Sequence, residues 1–206
     1  VRRPSEAQVR YALGGVLWSL NGSSRMLPLG WLALAVSAVG ACMMAAAPFL
    51  APGRPIMSNY IPVIDNDPFL AGLVVFAAGA ALLTLRSLAA VRPVGVLIDG
   101  AGSLRFGLNT AAVSAAVALL AFVWSYATLA TEVPRQAYFE VLFWGGGHVL
   151  QFTYTLLMLV AWLALASASG AAVPLSPRVV VLMFVIALAS VFATPVIYLA
   201  YDVTAA

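Results

Sequence analysis

The chain has 206 residues, of which 64% are hydrophobic and only 8% charged, with ten basic residues, seven acids and one histidine. A soluble domain carries roughly a quarter charged residues, so a mean hydropathy of +1.03 excludes a water-soluble globule and points to an integral membrane protein. Low charge without a glycine period, and Cys42 as the sole cysteine, exclude disordered, collagen-like and disulfide-stapled classes. The basic residues are all arginines with no run longer than Arg2-Arg3. The expected partner is therefore a lipid bilayer and not nucleic acid.

Residues 11–24 are apolar but too short to cross, so they read as an interfacial helix or the tail of a preceding span. Crossing the hydrocarbon takes roughly 20 apolar residues. Five stretches meet that length: 27–51, 69–91, 107–130, 138–168 and 179–201. None is a signal peptide, and none alternates as a barrel strand does. Asp65 and Asp67 are placed to cap or precede the second span, and Arg86 near its far end can snorkel. Glu132 and Glu140 flank a short loop and read as solvated. The fold class is an all-α helical membrane bundle, with 1–206 forming one domain of a larger subunit and no internal repeat.

Charge sets the direction. Arg2, Arg3, Arg10, Arg25, Arg86, Arg92, Arg105 and Arg178 fall on one side, and only Arg54 and Arg135 on the other. The positive-inside rule then places the N-terminus in the cytoplasm and the C-terminus outside. The expected location is the cytoplasmic membrane of a bacterium, with Trp31, Tyr60, Tyr138, Trp144 and Tyr198 near span ends as interfacial anchors.

His148 stands inside the fourth span, directly after Gly145, Gly146 and Gly147. Eight residues beyond Glu140 put it roughly 12 Å along the helix axis. A polar ring at that depth needs a partner or a metal. The glycines leave room for a flat group or a neighbouring helix. A packing histidine and a metal ligand are both open. Gln151 lies near the same face and Tyr154 does not; either can hydrogen-bond within the bundle. Cys42, Met43 and Met44 read as core, and no nucleophile motif, phosphate loop or zinc signature is present. No catalytic residue is assigned.

The string Leu142-Phe143-Trp144-Gly145-Gly146-Gly147-His148 resembles the start of the sixth helix in subunit I of haem-copper oxidases and nitric oxide reductases. Thr194-Pro195-Val196 is similar to that family's seventh-helix Thr-Pro segment, and the first span with SNYIPVIDNDPFLAGL resembles its third and fourth helices. The five spans would then be helices three to seven. The resemblance implies haem b with copper or non-haem iron, His148 as a metal ligand, and Gly145, Gly146, Gly147, Gln151 and Tyr154 near the cofactor. It also implies electron delivery from a donor protein or quinol, reduction of oxygen or nitric oxide, and remaining helices from the same subunit or other membrane subunits.

The family pattern is broken at several points. Leu199 and Ala200 stand where two ligating histidines are expected, and Phe152 replaces a tyrosine. The haem-ligating helices are not in this chain. A degenerate relative without catalysis therefore stands beside the active one. The alternative from a different class is a structural or assembly subunit of a membrane complex.

Overall fold

A computed structural model of the chain describes residues 26–91, 94, 98–129, 132–171 and 175–201. The expected interfacial segment 11–24 lies outside them, as do five of the counted charges, Arg2, Arg3, Arg10, Arg25 and Arg92. The elements in order are α1 (Leu27–Leu50), β1 (Arg54–Ile56), β2 (Val63–Asp65), α2 (Asp67–Ala89), α3 (Gly100–Thr128), α4 (Arg135–Ala168), α5 (Pro177–Val191) and α6 (Ala193–Ala200). Among the described residues, five helical stretches are long and apolar enough to cross a membrane, α5 and α6 together making the fifth. The protein is an all-α helical membrane bundle.

Three features depart from the hydropathy reading. The third helix begins at Gly100 instead of 107, because the Asp99 carboxylate accepts from the Gly102 amide at 2.6 Å and starts the helix before the apolar run. Arg105 is thus inside the helix. The fifth span is not one helix: α5 stops at Val191 and α6 starts at Ala193. Pro195 lacks an amide hydrogen, and its ring crowds the carbonyl four residues back, which belongs to Val191. Finally, the loop after α1 holds a two-stranded antiparallel hairpin pairing Arg54 with Asp65, Pro55 with Ile64 and Ile56 with Val63. Strands of three residues are too short to show a period of two in sequence.

The cap of α2 is also reassigned. Asn66, not either neighbouring aspartate, accepts from the Phe69 amide at 2.9 Å. Its side-chain nitrogen donates to the Ala51 carbonyl at 3.0 Å and the Ala47 carbonyl at 3.3 Å. One buried asparagine therefore closes the end of α1 and opens α2.

Helices α1 and α2 meet along a seam of small residues. A Cβ on Gly40 would sit 2.3 Å from the Phe76 amide nitrogen, and one on Gly79 would sit 2.2 Å from the Ser37 hydroxyl. Without a hydrophobic drive between helices in lipid, such close backbone approach supplies the dispersion contact that holds them. The most enclosed helix is α3, half of whose apolar window is buried. Its Leu108 and Ala111 pack with Leu156 and Val160 of α4 and Val180 and Phe184 of α5. Midway, the fully buried Ser114 hydroxyl accepts from Thr153 at 2.9 Å, a hydrogen bond between α3 and α4 made away from water.

Candidate functional site: the His148 cluster

Around His148, the loop at 51–66 folds back onto α4. Its Nδ1 lies 2.8 Å from the carbonyl oxygen of Trp144, one turn earlier. A carbonyl only accepts, so in the neutral ring Nδ1 carries the proton and the lone pair is on Nε2. The Tyr60 hydroxyl lies 2.8 Å from both ring nitrogens; with the Nδ1 proton directed at Trp144, the lone pair it can donate to is that of Nε2. Rings reinforce the contact: Trp144 and Tyr60 centroids lie 4.5 Å and 5.0 Å from the imidazole centroid. Burial, together with the nearby Glu140 carboxylate, pushes the Tyr60 hydroxyl above its usual pKa. It therefore stays a neutral donor at physiological pH.

Each glycine before His148 receives a different ring. A Cβ on Gly145 would meet the Tyr198 hydroxyl at 2.0 Å, on Gly146 the Phe122 ring at 2.5 Å, and on Gly147 the Tyr60 ring at 2.4 Å. The rings come from α6, α3 and the 51–66 loop. Tyr198 also hydrogen-bonds Ser125 of α3 at 2.8 Å. The glycine wall is thus filled by the protein's own aromatics. Phe139, Phe143 and Val63 continue this apolar plug beneath the hairpin.

Two polar ties hold the loop in place. Glu140 accepts from the backbone and side-chain nitrogens of Asn59, so it is engaged rather than merely solvated. Asp65 of β2 pairs with Arg135 at the start of α4, with a second bond of 3.3 Å from Nε. The Arg135 hydrogen bonds hold the Asp65 carboxyl below the usual carboxylate range. A carboxylate whose folded pKa is depressed adds stability above its unfolded pKa of about 3.9, and that stability is lost as pH falls through the folded value. The hairpin is therefore expected to loosen below about pH 4. Proteolysis of the 51–66 loop, followed against pH, should accelerate there in the wild type but show no such step in Asp65→Asn.

The structure brings Tyr60, Trp144, Gly145–Gly147 and His148 together and leaves other expected residues apart. Gln151 and Tyr154 lie on the exposed face of α4, and Tyr154 is 62% exposed. Leu199 is exposed as well. Tyr60 and Tyr198, expected as interfacial anchors, are instead the rings that meet the glycines. Spacing could not reveal this, because Tyr60 and His148 are 88 residues apart. A glycine triplet in a span does imply three close neighbours, without naming them.

A metal or haem is a poor fit to these residues. Among the described residues no group of three His, Cys, Asp or Glu side chains converges. The Tyr60 hydroxyl stands within hydrogen-bond distance of both imidazole nitrogens, and the space beside the glycines is occupied. A cavity of about 440 Å³ lies along α1, lined by Ala38, Val39, Cys42, Met43, Ala46, Leu50 and Pro68, without His148.

The sequence is 31% identical over 134 residues to an uncharacterized protein of Rickettsia prowazekii, a match covering 61% of this chain and 25% of that protein. It is 29% identical over 127 residues to an uncharacterized protein of Aquifex aeolicus, covering 62% of this chain and 32% of that one. The chain thus spans a quarter to a third of the length of these curated relatives. No protein-family profile and no solved structure matches it.

Proposed function

We propose that the chain is a non-catalytic helical module of a larger membrane protein in the bacterial inner membrane. It would be built on the plan of haem-copper oxidase and nitric oxide reductase subunit I, with the metal position turned into a structural strut. The observation that carries this reading is His148 itself. Its Nδ1 reaches the Trp144 carbonyl, the Tyr60 hydroxyl sits within 2.8 Å of both ring nitrogens, and three aromatic rings fill the glycine wall beside it. Such an imidazole fastens the 51–66 loop to α4. It does not present a free lone pair to a metal.

The Leu142–His148 string supports a second reading, in which Tyr60 moves away and His148 ligates copper or non-haem iron beside haem b in a complete respiratory oxidoreductase. Electrons would then come from a donor protein or quinol. The two readings separate on metal and haem content of the full-length protein purified from membranes, compared with His148→Ala. The strut reading expects metal stoichiometry and visible absorbance to be the same in both proteins, with a lower melting temperature in the variant. Loss of one copper or iron per chain, or of a visible band, on removing His148 would establish the ligand reading instead.

A further inference from the structure

Helix α4 carries an exposed face with one unmatched amide. Trp144, His148, Gln151, Thr155, Met158 and Trp162 recur at alternating spacings of four and three, which aligns them along one face. Apart from half-buried His148, these residues are exposed. Thr155 answers its own hydroxyl by donating to the Gln151 carbonyl at 2.8 Å. The Gln151 amide has no hydrogen-bond partner among the described residues. It lies eleven residues past Glu140, roughly 16 Å along the axis and so about halfway through the hydrocarbon. An amide facing acyl chains at that depth leaves strong donors and acceptors unmet.

We infer that this face of α4 is covered by a further transmembrane helix from outside the described residues, one presenting a hydrogen-bonding side chain to Gln151 at mid-bilayer. Two observations choose this occupant over a second copy. The curated relatives are three to four times the length of the stretch they share with this chain, which leaves ample sequence for additional spans. The face is also bulky, with Trp144 and Trp162 at its ends. Apposing two copies in parallel would set tryptophan against tryptophan at both ends, with no small residue opposite either ring. A helix with Gly, Ala or Ser opposite the tryptophans, and Ser, Thr, Asn or Gln opposite Gln151, complements the face in shape and in hydrogen bonding. The inference does not depend on whether His148 binds a metal.

The test uses the full-length protein in its native membrane. Gln151→Cys in a Cys42→Ser background carries a thiol-linked benzophenone, and the cross-linked product is mapped by mass spectrometry. The expected product joins residue 151 to an apolar span outside 26–201 that has a Ser, Thr, Asn or Gln at matching depth. A cross-link to α4 of another copy, or adducts with lipid alone, would overturn the inference. Gln151→Leu gives an independent sign. A covered, hydrogen-bonded amide predicts that leucine weakens the helix association about 3- to 20-fold, read as a lower melting temperature. A lipid-facing position predicts that leucine raises it, which would also overturn the inference.

Discussion

Gly147→Val is expected to lower the melting temperature of the purified protein by about 2–12 °C, from about 1–3 kcal/mol of overpacking at about 2–4 °C per kcal/mol. A Cβ at that position would lie 2.4 Å from the Tyr60 ring, well inside contact distance. The ring has little freedom to retreat. Its hydroxyl is held by His148, and its loop is tied by Asn59 to Glu140 and by Asp65 to Arg135. Replacing glycine within a helix returns a few tenths of a kcal/mol in propensity, roughly 0.3–0.5 for valine, so the steric cost decides the sign. Gly100→Ala provides the control, because a Cβ there meets nothing within 4 Å. Thermal melts of the two variants in one detergent make the comparison. Equal melting temperatures would show that the glycine wall is not filled.

The architecture was readable because one signal dominates it. Apolar runs of about 20 residues bounded by arginines can form little else in lipid, and each of the five expected spans overlaps one observed helical stretch. What hydropathy could not show were features set by single side chains. Asp99 lengthens α3 backwards, Pro195 divides the last span, and Asn66 rather than an aspartate caps α2. These act through one hydrogen bond or one missing amide, below the resolution of a sliding average.

The cluster was half legible. An intramembrane imidazole after three glycines marks a site of close approach, and His148 does sit at one. The approaching groups were not legible, because Tyr60, Phe122 and Tyr198 come from distant segments brought together only by the bundle. Gln151 shows the converse limit. Its spacing from His148 suggested a shared role, yet it lies exposed on α4, and only the three-dimensional face reveals the unmatched amide.

His148→Ala removes both hydrogen bonds at once and leaves the Tyr60 hydroxyl and the Trp144 carbonyl without their partner. A part-buried group deprived of its partner costs about 1–3 kcal/mol. Tyr60→Phe removes the loop's half of the same bond while keeping the ring that meets Gly147. A double-mutant cycle of Tyr60→Phe and His148→Ala, read by reversible unfolding in detergent, therefore isolates the strut itself. The account predicts a coupling of about 0.5–1.5 kcal/mol, with the second substitution costing less once the first has been made. Strictly additive losses would mean that the two side chains do not act on each other, and His148 would then have some other partner.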